Sequence, residues 1–485
     1  MLFKYKNISI ILFVIILVLL EVLFRSAGVP IVIGDANFFY PIAQNFAEHN
    51  DLSHPVMSPI VDGGGRLIWH GWGHSYVLGF LGKLFSDSFI GVIMSETLIV
   101  GIGCIGFTIT FCSAYKKANV YVKGAIVISV VAIAFGYLGR PESLSFVLLV
   151  AGIAAFHYLE NSAFRWGVIV VLWGGIGTTQ PTVALLVGPI LLGYMVISEV
   201  EVRLALSKWL VVGAFSIATT LLLTAVFYPY SVADWIDGLW RHSQKIAARG
   251  DSDRTLYYYF LAPSRFMQGG WYALTVACGG LLLWQSGETR NWTLVGVALI
   301  GAGLAWYTSI RIPPTNYNLF ALLPVFAIIV QESLTKIDSV VAARVIKAAV
   351  LILGLSSTLI VGRSTIVSVQ SSNGPSRQNV VNKLNELIGS QGEVERKSIC
   401  MNKGILFSVY EPSEWDSFCS MNSKLPTGKE EYAVTMQAGL GRFKPPEVEN
   451  YTVLFDNFRN NGIHFGPLKV ANTDDSYRFA VYKRK

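Results

Sequence analysis

A chain of 485 residues that is 53% hydrophobic and 14% charged, with a mean hydropathy of +0.50, lies outside the ordinary soluble class, where about a quarter of residues are charged. Its net charge of +7 is spread along the sequence without a concentrated basic tract or a nucleic-acid reader motif, so no nucleic-acid partner is expected. What remains is an α-helical polytopic membrane protein.

The chain begins "MLFKYK" and continues into an apolar run, Ile8 to Phe24, with no convincing small-residue cleavage site after it; the run reads as a retained anchor. Further apolar runs start near residues 89, 119, 141, 165, 181, 205, 266, 291, 317 and 345, which makes about eleven transmembrane helices in all. Some neighbours are separated only by "GRPE" or "TTQP" and must form tight helical hairpins. If every run crosses, Lys4, Lys6, Lys116, Lys117, Lys123, Arg165, Arg203, Lys208, Arg290, Lys336, Arg344 and Lys347 fall on one side, which the positive-inside rule assigns to the cytoplasm. The amino terminus is then cytoplasmic. A first outer loop at 29–88, the turns near 140 and 180, a loop at about 229–265 and the tail after residue 363 lie on the opposite side.

The outer loop carries "GDANFFYPIAQNFAEHNDLSHP", with Asp35 at the membrane edge. Phe38 or Phe39, Ile42 and Phe46 share a helical spacing, while Gln44, Asn45, Glu48 and His49 fall on other faces, the pattern of an amphipathic surface helix. Further along, "HGWGH" places His70 and His74 four residues apart, a spacing for two metal ligands on a helix, but Gly71 and Gly73 disfavour that helix and no partnering acid is fixed by spacing. "DGGGR" at 62–66 lacks the Lys-Ser/Thr ending of a phosphate loop and reads as a turn.

In the loop at 229–265, Arg241, Lys245, Arg249, Arg254 and Arg265 run against the charge rule. Arg241, Lys245 and Arg249 recur every four residues and would project from one helix face, which suits an anionic phosphate. Tyr257, Tyr258 and Tyr259 read as an interfacial aromatic belt. After residue 363 the composition becomes that of a small α+β domain: "SRQNVVNKLNELIGS" predicts a helix, and "ILFSVY", "YAVTM", "YTVLFDNF" and "RFAVYKR" predict strands. Cys400 and Cys419 lie in this external region and are expected to pair as a disulfide.

Two domains follow: a transmembrane part at 1–363 and an extracytoplasmic part at 364–485. Gathered at the outer boundary are Asp35, Asp51 and the histidines of the first loop, then Glu96, Arg140, Glu142, the basic helix of Arg241, Lys245 and Arg249, and Arg311, joined by Gln180 and Tyr317. Charges at such depth are costly and ordinarily serve a pathway, a pair or a reaction. An enzyme at that face would meet no nucleotide pool, so any sugar or phosphate donor would have to arrive attached to a lipid.

The first loop resembles that of the GT-C superfamily of membrane glycosyltransferases. "GRPESLSFVLLVAGIAAF" is similar to the Arg-Pro-Glu turn that opens one of their spans, and "RIPPTNYNLFALLPVFAII" to a late segment in which a basic residue and a Tyr precede a Leu-Pro span. The pattern is that of the dolichyl-phosphate-mannose mannosyltransferase and lipid A aminoarabinose transferase type, over roughly residues 1 to 340. The resemblance implies a transferase that moves a sugar from a polyprenyl-phosphate donor, such as an undecaprenyl phosphate, to a hydroxyl of a glycan, glycolipid or protein acceptor; a single base opposite a phosphate leaving group would give inversion, and a retaining route would need a second, nucleophilic acid. A bacterial envelope polysaccharide such as O-antigen is the acceptor expected first, and the bacterial inner membrane the location.

The resemblance also makes Asp35 the catalytic base, with Asp51, Glu96 and Glu142 as second-acid candidates. Donor phosphate would fall to Arg241, Lys245, Arg249 and Arg311, and substrate contacts to Arg140, Gln180 and Tyr317. Ala36 stands where many relatives have a second acid, and Gln180 where a basic residue is common. No cofactor is implied, and a divalent metal has no support in the sequence. The competing class is a transporter or flippase of lipid-linked saccharides, against which stand the clustering of charge at one boundary and the lack of an internal repeat.

Overall fold

The computed structural model describes residues 2–27, 36–54, 66–68, 70–198, 202–248, 266–285, 320–372, 374–375, 377–388, 399–401, 431–436, 451–457, 463–465, 468–471 and 478–485. Helices dominate, as the composition requires. Segments Asn7–Ser26, Ser88–Ala114, Pro141–Tyr158, Leu206–Phe227 and Val340–Ser371 are each long and apolar enough to cross a bilayer, and the chain is a multi-pass membrane protein. It divides into two compact units, one of residues 1–18, 67–76 and 96–359, the other of residues 19–66, 77–95 and 360–485.

The larger unit is a helical bundle. It takes in the first part of α1 (Leu2–Ser26), most of α4 (Ser88–Ala114), then α5 (Val120–Gly136), α6 (Pro141–Tyr158), α7 (Ser162–Thr179), α8 (Pro181–Ser198) and α9 (Val202–Phe227). It continues with α10 (Val232–Ala248), α11 (Phe266–Gln285), α12 (Leu323–Lys336) and the first part of α13 (Val340–Ser371). Local chemistry sets the boundaries. Asn119 caps α5 by accepting from Tyr121 N at 2.9 Å, and Asn161 caps α7 by accepting from Phe164 N at 3.1 Å. Pro141 and Pro181 occupy first-turn positions where the missing N–H costs nothing.

α7 packs on α6, α8 and α9. Small residues permit the close approach to α9: a Cβ on Gly177 would lie 2.4 Å from Thr220 Oγ1, and Thr220 Oγ1 donates to Gly174 O at 3.0 Å. Trp173 Nε1 donates to Ala184 O and Trp209 Nε1 to Gly188 O, both at 2.8 Å, so the indoles satisfy their polar edge while filling the core.

The second unit holds α2 (Ala36–His49), α3 (Gly73–Gly82) from residue 77 onward, and the C-terminal elements. α2 is more enclosed than a surface helix. Phe39, Tyr40, Ile42, Ala43 and Phe46 are buried, and so is Gln44, expected on the polar side, whose Nε2 donates to Glu48 Oε1 at 3.0 Å. Asn50 ends the helix in the left-handed region (φ 58°) and accepts from Lys83 Nζ at 2.5 Å.

Beyond α13, α14 (Arg377–Ile388) matches the predicted helix. β1 (Ile399–Met401), β2 (Tyr432–Met436), β3 (Tyr451–Asp456) and β6 (Phe479–Arg484) form a mixed sheet in the order β1-β2-β6-β3, and β4 (Ile463–Phe465) pairs with β5 (Leu468–Ala471). "YAVTM", "YTVLFDNF" and "RFAVYKR" supply β2, β3 and β6, while "ILFSVY" lies outside the described residues. β1 and the β4–β5 hairpin were not expected. Cys400 lies in β1 and Cys419 outside the described residues.

Candidate active site

In the larger unit, "HGWGH" is an anchored loop that leads into α3, not a helix carrying two histidines. α3 begins at Gly73, so His70 precedes it and His74 opens it. Both glycines are required by contact: a Cβ on Gly71 would lie 1.9 Å from Thr179 O, and one on Gly73 2.6 Å from Thr178 Oγ1. The loop is held from the other side by the end of α9 and by α10. Tyr228 Oη donates to Leu67 O at 2.8 Å, Trp235 Nε1 to His70 O at 2.9 Å, and Trp72 Nε1 to Thr224 Oγ1 at 3.2 Å. Gly238 lets α10 close on Ile68 O, which a Cβ would approach to 2.4 Å.

This anchoring delivers His74 to Glu96 of α4, with His74 Nε2 3.0 Å from Glu96 Oε1 and both side chains enclosed. The same carboxylate accepts Gly139 N at 2.6 Å through Oε2, and the Ser143 hydroxyl through Oε1. Gly139 sits at φ 86°, a conformation that favours glycine. The "GRPES" turn thus wraps around a carboxylate supplied by another helix.

One residue further on, Arg140 takes an extended backbone (φ −132°, ψ 145°), as the residue before a proline should, and α6 starts. Glu142 lies in its first turn, where the helix dipole favours an acid. Its Oε1 accepts Gln180 Nε2 at 2.9 Å and its Oε2 accepts Arg140 Nε at 3.3 Å. Beneath this pair, Ser145 Oγ and Thr179 Oγ1 lie 2.8 Å apart. Glu96, Arg140, Glu142 and Gln180, four of the sequence candidates, are therefore gathered at the amino-terminal end of α6.

His70 lies beside Glu142 and is the strongly perturbed base of the loop. Burial pushes it from 6.5 down to about 4, against the pull of the Glu142 charge and with further lowering from His242 and His74. Its Nδ1 accepts Gly71 N at 2.9 Å, which leaves the ring proton on Nε2. A neutral imidazole and a carboxylate tied to a guanidinium form a site able to hold hydroxyls and shield developing charge.

Other candidates are distributed differently. Arg241 is exposed on α10 and ion-paired with Asp237 one turn earlier. Lys245 lies one further turn along α10, which itself packs on the His70 loop. Asp51 belongs to the second unit, where it accepts Ser53 Oγ at 2.5 Å. Asp35, Arg249, Arg311, Tyr317 and Tyr257 to Tyr259 lie outside the described residues. Among the described residues no group of three His, Cys, Asp or Glu side chains is arranged to hold a metal.

The sequence places His70 and His74 at the outer boundary with the other first-loop histidines and offers them a role only as metal ligands; Ser143, Trp72 and Trp235 carry no signal of their own there. The available signal was the glycine on either side of Trp72, which marks a backbone pressed against another element.

The bundle and its tail match ArnT from Cupriavidus metallidurans bound to undecaprenyl phosphate, at 12% identity with a TM-score of 0.50, over 98% of this chain and 97% of that one. The apo state of that protein matches at 12% identity and a TM-score of 0.50, over 97% of each chain. The chain has the GT-C fold. It is also similar to the Archaeoglobus fulgidus oligosaccharyltransferase in its apo form, at 15% identity and a TM-score of 0.47, over 87% of this chain; it spans only 62% of that larger protein. No sequence profile of a known family and no curated protein matches. The GT-C likeness is thus one of fold.

Proposed function

We propose that this GT-C chain is an inverting glycosyltransferase that moves a sugar from a polyprenyl-phosphate-linked donor to a hydroxyl of an extracytoplasmic acceptor. A lipid-linked or envelope polysaccharide such as O-antigen is the favoured acceptor. The observation that carries the reading is the near end-to-end match, C-terminal domain included, to a fold whose solved example holds undecaprenyl phosphate. The cluster at the head of α6 supports it, because a bundle that needed only stability would not enclose two carboxylates with their donors at one boundary.

In this mechanism Asp35, at the membrane edge in sequence, takes the acceptor proton as the hydroxyl attacks the anomeric carbon. The bond to the lipid phosphate breaks on the opposite face, giving inversion. The phosphate gains charge as it leaves, and fixed cations lower that cost; Arg140, Arg241, Lys245, Arg249 and Arg311 are the candidates. Glu142, held by Gln180 and Arg140, orients that guanidinium. The site belongs to the outer face of a bacterial inner membrane.

The test is turnover by the purified chain in lipid nanodiscs, supplied with polyprenyl-phosphate sugars and an envelope glycan extract. Free polyprenyl phosphate should accumulate without any ion gradient. Movement of intact donor between leaflets with no release would favour a flippase.

A further inference from the structure

At the end of the bundle away from Glu142, the larger unit contains a cavity of about 570 Å³ between α4, α6, α7, α8 and α12. Its inner wall is apolar and buried, with Phe107, Phe111, Ile169 and Ile176 each almost fully enclosed. Its polar lining is concentrated at the helix ends, where Tyr115, His157, Glu332 and Lys336 are half-buried or exposed.

Those ends are tied together. Ser113 Oγ meets His157 Nε2 at 2.8 Å and Tyr158 Oη at 2.9 Å, joining α4 to α6, and the Tyr115 hydroxyl on α4 lies within the electrostatic reach of Glu332 on α12. The cavity is therefore a pocket with an apolar interior and a polar mouth. Gly152, on α6 about 15 Å along the axis from Glu142, lines it and keeps it open.

A closely packed bundle does not retain a void of this size empty, and an apolar one does not fill with water. At about 30 Å³ for each small group, the volume holds on the order of 20 groups, the size of one acyl chain. Hydrocarbon alone gives no preference over the surrounding bilayer, because lipid tails are as apolar as the side chains that line the pocket. Selection must therefore come from the mouth. There Glu332 and Lys336 face each other at 3.6 Å, one acid balancing one base. A headgroup carrying only a phosphate would satisfy Lys336 and repel Glu332. A headgroup with both a phosphate and an ammonium N–H matches both, with the Tyr115 hydroxyl as a further partner.

We propose that this pocket is a lipid site, independent of the transfer reaction, that takes one acyl chain of a zwitterionic phospholipid with a primary-ammonium headgroup, seated on Glu332 and Lys336. Its occupant would brace α4, α6 and α12 against one another.

Native mass spectrometry of the full chain, delipidated and then offered equimolar phosphatidylethanolamine, phosphatidylcholine, phosphatidylglycerol and undecaprenyl phosphate, tests this. One phosphatidylethanolamine should be retained per chain, at least tenfold over the other three. A Cβ on Gly152 comes no nearer than 3.6 Å to Ile169 Cδ1, so Gly152→Trp can grow into the void; it should lower retention at least tenfold with the helical circular dichroism unchanged. Glu332→Gln leaves the pocket intact and should reduce the ethanolamine preference to within about twofold of the phosphatidylglycerol level, a readout that stands if the tryptophan variant misfolds. Equal retention of all four lipids by the wild type would overturn the proposal. So would preferential retention of undecaprenyl phosphate, which would make the pocket a donor-chain site, or an unchanged lipid count in well-folded Gly152→Trp.

Discussion

Replacing Glu96 by alanine separates a structural carboxylate from a reacting one. The side chain is buried in α4 and accepts from His74, Gly139 and Ser143. Truncation strands the Gly139 N–H and the Glu96-facing N–H of His74, whereas the Ser143 hydroxyl keeps a second acceptor, Arg140 O at 2.7 Å. Each stranded buried donor costs about 1–3 kcal/mol, so Glu96→Ala should destabilise the chain by roughly 2–6 kcal/mol. Glu96→Gln retains one acceptor for Gly139, and a change of His74 tautomer lets the imidazole accept from the new amide; its cost should be about 1–2 kcal/mol. Thermal unfolding in one detergent, followed by circular dichroism, should rank wild type above Gln above Ala, and Glu96→Gln should keep most of its transfer activity. A glutamine variant that melts like the wild type but has lost transfer would refute the reasoning and make Glu96 a second catalytic acid.

His70 should make the fold acid-sensitive. Its folded pKa of about 4 lies below its unfolded value of 6.5, so the unfolded chain binds the extra proton and stability falls as pH drops from 6.5 to 4, by at most about 3 kcal/mol. A His70→Gln chain whose melting temperature falls just as steeply over that window would contradict the assignment. Replacing Arg241, Lys245 and Arg249 together by Gln should raise the KM for donor while membrane insertion is kept; unchanged donor kinetics would make the basic face of α10 a solvated one, in keeping with the exposed Arg241–Asp237 pair. For topology, single cysteines in the Arg241 loop should react with an impermeant maleimide added to spheroplasts, and those between residues 336 and 347 should not; the reverse pattern would move the site to the cytoplasmic face.

Apolar run length located most of the bundle because the bilayer imposes it: segments expected near 89, 119, 141, 165 and 181 correspond to helices that begin at Ser88, Val120, Pro141, Ser162 and Pro181. The described part of the segment expected from 317 is a 14-residue helix, α12, and the segment expected from 291 lies outside the described residues. At the site, depth in the membrane was enough to flag Glu96, Arg140, Glu142 and Gln180, since a polar group there needs a reason. Their pairing was not legible. Glu96 meets His74 across 22 residues and Glu142 meets Gln180 across 38, separations that no local spacing encodes. His70 escaped for a related cause: its depressed basicity comes from burial in the folded chain, which a one-dimensional pattern of His and Gly does not carry.

The central claim, transfer from a lipid-phosphate sugar with a base at the membrane edge, is tested most directly by Asp35→Asn in purified, reconstituted protein. Asparagine keeps the size of the side chain and can still cap a helix, but it cannot take up the acceptor's proton. At matched expression and unaltered melting temperature, release of polyprenyl phosphate should fall by a factor of about 100 or more while donor binding is largely retained. Near-normal release by Asp35→Asn would contradict the account and move the search for the base to Asp51 and then to Glu142.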